Sequence, residues 1–294
     1  MFDLKTLLDT LHVEQLDTYL FRANSIHIGT VRVFGGQVLA QALNAAVRSV
    51  DEERRPHSLH GYFLRPGDLT RPIIYEVDPI RDGRSFATRR VVAKQNGEAI
   101  FNCSISFHKV ENGLEHQMDL PDGIPMPEDL LYDEDYAEQL IKEKPEITME
   151  MFKSIFLLPG RDIVDIRSAF PLKTLEATKQ NPTHGYWFKF NKDIGDSPIV
   201  HRTLLAFISD KGLMSTAMRP HSVSFLTHKI IGASLDHAMW FHGDIRVDQW
   251  VYYHLDSPKS ANARGLNRGS FYTRDGKLIA SCAQEGLMRV IGKK

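Results

Sequence analysis

Apolar residues recur at helical spacing in two stretches of the chain. Residues 34–50, FGGQVLAQALNAAVRSV, place apolar side chains at positions 34, 38, 39, 42, 43 and 46. This spacing lines one face of a helix, and the alanines permit close packing. Residues 203–218, TLLAFISDKGLMSTAM, are apolar in long runs and are also compatible with a helix. The pattern predicts one central helix in each half of the chain.

Segments typical of β-strands follow each of these stretches. RPIIYEVDPI and QWVYYHLDSP are rich in β-branched and aromatic residues. SFATRRVVAKQNGEAIFNCSISF and ARGLNRGSFYTRDGKLIASCAQEG each hold two strand-like runs around an Asn-Gly or Asp-Gly pair, which is the strongest short signal for a hairpin turn. Cys103 and Cys282 fall at matching points after those turns. Each half therefore predicts the order helix, strand, strand, hairpin.

One motif is written twice, as SLHGYFLRPGD at residues 58–68 and as SLDHAMWFHGD at residues 234–244, with an offset of 176 residues. Together with the matching order of elements, it indicates a duplicated unit. Strands gathered after one central helix predict an α+β fold, in which an antiparallel sheet wraps around that helix. The alternative is that two unrelated halves share common turn chemistry.

An acidic segment separates the two halves. Residues 111–150 hold thirteen acidic residues, two basic residues and four prolines, and we expect a solvated charged surface. The prolines at 121, 125 and 127 oppose regular structure, and a helix-like stretch follows at roughly 128–158. Residues 161–170, RDIVDIRSAF, alternate like a strand. We expect an N-terminal domain over 1–115, a linker with a helical insert over 116–160, and a C-terminal domain over 161–294.

Composition narrows the class of protein. The 294 residues are 42% hydrophobic, which is enough to bury a sizeable core, and a net charge of −1 argues against nucleic-acid binding. The N-terminal sequence MFDLKTLLDTLHVEQLD is typical of an amphipathic helix rather than a signal peptide, and no apolar run reaches the ~18 residues of a membrane span. Two isolated cysteines suit a reducing compartment. We expect a cytoplasmic protein without stable membrane insertion.

Common catalytic signatures are missing from the sequence. It contains no G-x-S-x-G elbow, no H-E-x-x-H or Cys-x-x-Cys motif, and no glycine-rich phosphate loop. His57 and His60 lie three residues apart, and His237 and His242 lie five apart. On a strand, odd spacings point side chains to opposite faces, so these are poor metal pairs. We expect neither a metal nor a cofactor.

Three polar positions in the second half suit hydrolytic chemistry. Asp210 interrupts the apolar run LLAFISDKGLM, Gln284 stands where the first half has Ile105 when the hairpins are aligned on their cysteines, and Ser234 supplies a hydroxyl. Two alternatives stay open. Asp210 can mark a helix end, because Gly212 follows it, and Gln284 can be a hydrogen-bonded edge residue.

These three groups together can position a water molecule. A carboxylate accepts a proton from water, whereas a hydroxyl and an amide can each donate and accept hydrogen bonds and so fix the orientation of that water. General-base assistance of this kind contributes ~10²–10⁴-fold. A water positioned in this way can attack a thioester or ester carbonyl without a covalent intermediate.

Long motifs in both halves resemble one family, the type II acyl-CoA thioesterases. They are VFGGQVLAQAL, HSLHGYFLRPGD, RDGRSFATRRVVAKQNG, SLDHAMWFH and ARGLNRGSFYTRDGKLIASCAQEGLMR, in the order that the family has them. The resemblance implies a double hotdog fold, in which two antiparallel sheets, each wrapped around a central helix, join as a pseudo-dimer. It also implies hydrolysis of fatty acyl-CoA to free fatty acid and CoA, with Asp210, Ser234 and Gln284 as the catalytic residues.

The resemblance leaves some points open. The family more often has threonine where this chain has Ser234; serine keeps the hydroxyl and loses a methyl group that stiffens the side chain. We expect a homo-oligomer, because hotdog proteins often associate through exposed sheet surfaces. The nine Arg and Lys of residues 54–94, against four acidic residues, could meet the phosphates of CoA or could form a solvated sheet face. The rival functions are a non-catalytic acyl-CoA-binding module and an enoyl-CoA hydratase.

Overall fold

The computed structural model describes residues 3–144, 148–149, 162–169, 178–192, 194–225 and 227–293. Contacts between residues divide the chain into two compact units. Unit 1 comprises Met1–Gln117, Ile194–Asp210 and Leu235–Arg246, and unit 2 comprises Met118–Asp193, Lys211–Ser234 and Val247–Lys294. This division follows packing rather than sequence order, and the domain boundaries near 115 and 160 stay predictions.

The helices of the described ranges are α1 (Leu4–Leu11), α2 (Gly35–Val47), α3 (Asp133–Glu143), α4 (Pro198–Ser209) and α5 (Leu213–Met218). The strands are β1 (Glu14–Asp17), β2 (Leu20–Ala23), β3 (Arg54–Phe63), β4 (Ile73–Asp82), β5 (Phe86–Gln95), β6 (Glu98–Lys109), β7 (Val164–Ser168), β8 (Thr183–Phe190), β9 (His228–Ser234), β10 (Asp236–Phe241), β11 (Val251–Ala261), β12 (Arg264–Thr273) and β13 (Leu278–Lys293). Among the described residues, no helix combines the length and the apolar character needed to span a membrane.

Unit 1 is an antiparallel sheet that packs on helix α2. Its strands run in the order β1-β2-β4-β5-β6-β3-β10, and α2 contacts β3, β4, β5 and β6. Helix α4 packs against α2 within the same unit. Because α2 is covered on more than one side, even its polar residues Gln37 and Gln41 are fully buried. The Gln41 amide is hydrogen-bonded to the main-chain oxygens of Thr10 and Asn24, at 2.7 and 3.0 Å, as a buried polar group requires.

The two copies of the repeated motif pair with each other in this sheet. Strand β3 carries the first copy and β10 carries most of the second, and the two strands are antiparallel. Gly61 lies opposite His237, which is its own counterpart at the offset of 176 residues. The repeat was visible in the sequence, but this pairing was not. The second copy is also split, because Ser234 ends β9 and β10 begins only at Asp236.

Unit 2 is a second antiparallel sheet, with strands in the order β9-β13-β12-β11-β8-β7. Helix α5 packs on β11, β12 and β13. The single helix predicted over 203–218 is therefore wrong: the structure has α4 and α5, separated by three residues. The physical cause is Gly212, whose φ of 89° is left-handed and ends the helical path. The helix end proposed for Asp210 is confirmed, since Asp210 is the C-cap of α4.

Both hairpins form where the sequence predicted them, with different turns. The β5–β6 turn has φ values of 52° at Asn96 and 79° at Gly97, as a two-residue type I′ turn requires. The β12–β13 turn is longer. There the Thr273 N–H donates to the Lys277 oxygen, and only Gly276 is left-handed, with φ of 83°. The Asp-Gly pair therefore serves a three-residue loop rather than a two-residue turn.

The acidic segment contains helix α3 within the stretch that was predicted to be helical. Residues 110–126 form neither helix nor strand, in agreement with their prolines. Helix α3 covers Asp133–Glu143 of the predicted stretch 128–158, and residues 145–147 and 150–158 of that stretch lie outside the described residues. Its first residue, Asp133, is only 4% exposed and accepts hydrogen bonds from the N–H and hydroxyl of Ser168 on β7. The prediction of a wholly solvated charged face is thus wrong at Asp133.

Candidate active site

Asp210 lies where helix α4 ends beside the start of helix α2. Its Oδ2 accepts a hydrogen bond from the backbone N–H of Gly36, at 3.0 Å. Gly36 belongs to the first turn of α2, where a backbone N–H can lack an acceptor within the helix. The N-terminal end of a helix carries partial positive charge and stabilises a nearby carboxylate. Unit 1 therefore provides the Asp210 carboxylate with a hydrogen bond at the start of a helix.

Two glycines make this approach possible. A Cβ on Gly35 would lie 2.6 Å from Asp210 Oδ2, and a Cβ on Gly36 would lie 2.1 Å from the backbone oxygen of Phe207. Both distances are shorter than side chains tolerate, so any larger residue would push the two helices or the carboxylate apart. The role of this pair was not recognised from the sequence, although a Gly-Gly step at the start of an apolar helix pattern was its signal.

Ser234 and Gln284 meet in unit 2. Gln284 Nε2 donates a hydrogen bond to Ser234 Oγ at 2.8 Å. The strands set this contact, because Ser234 lies opposite Gly286 in the β9–β13 pairing, two residues from Gln284. Gln284 is hydrogen-bonded, as the alternative interpretation expected, but it is only 1% exposed and β13 lies between β12 and β9, so Gln284 is not an edge residue. Its counterpart Ile105 is fully buried in unit 1, which confirms that Gln284 replaces a core residue.

The structure thus brings two of the three predicted site residues together. Ser234 and Gln284 share a hydrogen bond within unit 2, whereas Asp210 belongs to unit 1. Convergence of all three on one water molecule stays a prediction. Each of the two arrangements is compatible with its predicted role. The Asp210 carboxylate is held at a helix end, and the Ser234 hydroxyl is held by the buried Gln284 amide.

A buried ion cluster follows Asp210 in unit 2. The Lys211 ammonium lies 5.4 Å from the centre of the Tyr186 ring. Burial lowers the pKa of Lys211 to about 8, an effect that the negative charge of Asp133 opposes. Burial also raises the pKa of Asp133 to about 6, although Lys211 and the hydrogen bonds from Ser168 favour its ionised form. Helix α3 therefore contributes a titrating carboxyl group to the interior of unit 2.

Several histidines are held in surroundings that favour the neutral ring. Burial, together with the positive charges of Arg219 and Lys211, lowers the pKa of His184 to about 3. Burial also lowers the pKa of His57. The ring of His237 is fully buried, with Nε2 3.0 Å from the Ser209 hydroxyl oxygen. Within the described ranges, no group of three or more His, Cys, Asp or Glu side chains could hold a metal ion.

The two cysteines are free and buried. Burial raises the pKa of the Cys103 thiol well above its usual range, which opposes formation of the nucleophilic thiolate. Cys282 Sγ lies 3.0 Å from the hydroxyl oxygen of Tyr253, inside unit 2. Neither setting is that of an activated cysteine.

The basic residues of segment 54–94 are largely paired with acids. Seven of the nine form ion pairs with carboxylates in unit 1. Five of these cations are substantially exposed, as on a solvated sheet face, whereas the Arg54 and Arg89 side chains are largely buried. Arg71 and Lys94 line a cleft of about 320 Å³, and each has its own acidic partner there, Asp68 and Glu76. A role for this segment in binding the phosphates of CoA stays a prediction.

Two family models match the chain. One, described as the acyl-CoA thioesterase N-terminal domain, covers residues 24–108, and one described as acyl-CoA thioesterase covers residues 162–287. Acyl-coenzyme A thioesterase 8 of Mus musculus is 37% identical over 294 residues, covering 98% of this chain and 91% of the relative. The crystal structure of an acyl-CoA thioesterase II from Mycobacterium marinum aligns with a TM-score of 0.76 at 34% identity, covering 97% of each chain.

A third similarity concerns the fold alone. A hot dog fold protein from Alicyclobacillus acidocaldarius aligns with a TM-score of 0.75 at 17% identity, covering 96% of this chain and 97% of that one. The predicted α+β double hotdog class is confirmed. The chain belongs to the acyl-CoA thioesterase family, and it is a thioester hydrolase that acts on acyl-CoA. The hydratase and the non-catalytic binding module are set aside.

Proposed function

We propose that this protein hydrolyses fatty acyl-CoA to free fatty acid and CoA by direct attack of a water molecule that Asp210, Ser234 and Gln284 orient. The observation that carries the proposal is the hydrogen bond from the buried Gln284 amide to the Ser234 hydroxyl, at 2.8 Å. The amide of this pair stands where the first half has a core isoleucine. A hydroxyl and an amide can together orient a water molecule, and this role explains why polar groups are buried here.

The proposed step begins with the water between the Asp210 carboxylate and the thioester carbonyl. Asp210 accepts a proton as the water oxygen bonds to the carbonyl carbon, forming a tetrahedral intermediate. The carbon–sulfur bond then breaks, and the CoA sulfur leaves with the proton returned from Asp210. The products are a carboxylic acid and a thiol, so atoms and charge balance. Aspartate is ionised at neutral pH and can take the role of the base directly.

Ser234 acts in this scheme as a hydrogen-bonding group rather than a nucleophile. The Gln284 amide donates a hydrogen bond to the Ser234 hydroxyl oxygen at 2.8 Å. Because Ser234 Oγ accepts from Gln284, the serine hydrogen is directed elsewhere and can be donated to the attacking water.

The test of the base is thiol release from palmitoyl-CoA, followed with a thiol reagent. We expect turnover by the unmodified protein and a loss of about 10²–10⁴-fold in Asp210→Asn, which keeps the shape but cannot accept the proton. Asp196→Asn is the matched control, since Asp196 is exposed and pairs with Arg246 at 2.6 Å. Normal turnover in Asp210→Asn would remove Asp210 from the mechanism.

The test of the serine is a search for an acyl-enzyme. We expect intact-protein mass spectrometry during turnover to show only the unmodified mass. An acyl group trapped on Ser234 would contradict the direct attack of water.

We also propose that the protein works in the cytoplasm as a homo-oligomer. Two buried free cysteines support a reducing compartment. The exposed aromatic residues Tyr62 and Phe86, 61% and 44% accessible on the sheet of unit 1, support association through sheet surfaces. Light scattering should give a mass that is a multiple of the 33.5 kDa chain, and a monomer mass would reject the oligomer.

A further inference from the structure

A third amide lies beside Gln284. Asn267 on β12 is directly opposite Gln284 in the β12–β13 pairing, and directly paired residues point to the same face of a sheet. Asn267 is fully buried, and Gln284 is 1% exposed. Asn267, Gln284 and Ser234 therefore form a polar row across β12, β13 and β9, all within unit 2.

Helix α5 covers this face of the sheet. Next to the Asn267–Gln284 pair, Gly265 lies opposite Gly286. A Cβ on Gly265 would lie 2.5 Å from the Ala217 Cβ of α5, which shows how closely the helix approaches the strands. The polar row is therefore packed under a helix rather than open to bulk solvent.

The hydrogen bonds of Asn267 fix the orientation of its amide. Its Nδ2 lies 3.1 Å from the Gly265 main-chain oxygen and 3.4 Å from that of Gln284, and both oxygens are acceptors. A flipped amide would place Oδ1 against these two acceptors, so the orientation is determined. Oδ1 is buried and has no hydrogen-bond partner among the described residues. A buried acceptor without a donor is costly, and ordered water is the usual donor in such places.

We propose that Asn267 is a positioning residue: its Oδ1 holds a buried water that bridges to the Gln284 amide and keeps Nε2 directed at Ser234. This inference rests on the proposed roles of Ser234 and Gln284. The direction of the Gln284 amide matters because a flipped amide would accept the serine hydrogen. In that case the hydroxyl could no longer donate to the attacking water. Asn267 thus acts through Gln284 and does not touch the substrate.

Kinetics of three variants test this role. Asn267→Leu removes both polar atoms, and we expect kcat to fall about 10- to 100-fold with KM unchanged, the size of effect that misplaced groups produce. Asn267→Asp keeps an acceptor of the same shape and loses the donor. The matched control is Ser257→Ala, because Ser257 Oγ donates to the Leu266 oxygen on the same strand without joining the polar row. We expect Ser257→Ala to keep the unmodified kcat.

The pH profile separates positioning from a structural role. In the Asn267→Asp variant, the introduced carboxyl group can donate to one of the two main-chain oxygens when it is protonated, and burial favours that form. Activity of Asn267→Asp should therefore recover as pH falls, relative to the unmodified protein and to Ser257→Ala. An Asn267→Leu variant with a lowered Tm and full kcat would overturn the inference, and so would a raised KM at full kcat.

A high-resolution crystal structure provides a readout that does not depend on activity. We expect an ordered water within hydrogen-bonding distance of Asn267 Oδ1, and an empty site there would overturn the inference. Suppose that Asp210→Asn and the Gln284 variants lose turnover while Asn267→Leu keeps full kcat. This result would reject the positioning role of Asn267 and leave the proposed mechanism in place. Full turnover in the Asp210 and Gln284 variants would instead reject the proposed mechanism.

Discussion

Gly35→Ala should separate activity from stability. The added Cβ would lie 2.6 Å from Asp210 Oδ2 and 3.0 Å from the Phe63 ring. Ordinary contact begins near 3.4 Å, so the carboxylate oxygen has to move by about 0.8 Å. It lies at the end of a side chain that can rotate, and the fold can therefore accept the methyl group at small cost. The hydrogen bond from Gly36 to Asp210, 3.0 Å long, would not survive the movement intact.

The expected loss of activity follows from this displacement. Misplacement of a catalytic group by about 1 Å can cost on the order of 10²-fold in rate, so we expect kcat for palmitoyl-CoA to fall by about that factor. Alanine has a higher helix propensity than glycine by up to about 1 kcal/mol, which offsets part of the steric cost at the first position of α2. We therefore expect Tm to change by no more than a few degrees.

The assay is thiol release, with thermal unfolding followed by circular dichroism. Gly113→Ala is the control, since a Cβ at Gly113 meets nothing within 4 Å. Full activity of Gly35→Ala, at unchanged Tm, would refute the claim that the close approach of α2 fixes the position of Asp210.

Three further predictions concern unit 2. Gln284→Ile introduces the residue type found at Ile105. We expect kcat to fall about 10²–10³-fold, as for loss of an orienting donor, while Tm stays equal or rises. An active variant would reject the role of the amide. Ser234→Thr keeps the hydroxyl, so thiol release should persist, whereas Ser234→Ala should lose it. Asp133→Asn should flatten the dependence of stability on pH between about 4 and 6. The folded-state pKa of about 6 lies above the unfolded value, so the folded state holds the proton more tightly in this window. The free energy of unfolding of the unmodified protein therefore falls as pH rises through the window, and an equal slope in Asp133→Asn would contradict the assignment.

Elements with strong local signals could be predicted from the sequence. The Asn96-Gly97 turn is formed by two neighbouring residues, so no distant contact is needed to specify it. Strands β4 and β11 could also be predicted, because their runs of β-branched and aromatic residues are a local signal for a strand. The apolar positions 34, 38, 39, 42, 43 and 46 are all buried as expected, but the pattern did not reveal that Gln37 and Gln41 are buried too.

Elements that depend on distant contacts were missed or merged. Strands β1 and β2 are four residues each, too short for alternation to stand out. Strand β8, THGYWFKF, is buried along nearly its whole length, so its pattern is not alternating. Leu120, Ile124 and Leu130 of the preceding segment pack on the cluster that contains its Trp187, so this face of the strand is covered as well. The run from 203 to 218 was predicted to form one helix, since its apolar pattern continues across Gly212; the alternative of a helix end at Asp210 identified the break that the left-handed Gly212 makes.

The candidate site was accessible to sequence analysis only in part. Comparison of the two halves identified Gln284, because a duplicated core position had changed from apolar to polar. It could not identify Asn267 as the neighbour of Gln284, or Gly36 as the donor to Asp210. Those contacts follow from strand register and from the approach of two helices, and neither feature can be predicted from neighbouring residues in the sequence.

The comparison of Ile105 with Gln284 gives the strongest physical argument that the Ser234–Gln284 pair of unit 2 serves catalysis rather than packing. Both residues are buried, at 0% and 1% exposure. A buried isoleucine contributes about 1.5–3 kcal/mol to stability. A buried amide contributes little even when it is hydrogen-bonded, and leaving it unsatisfied costs about 1–3 kcal/mol. Packing alone therefore favours isoleucine in both copies. The amide in the second copy is explained if its contact with Ser234 serves catalysis, which is why stability and activity should move in opposite directions in Gln284→Ile.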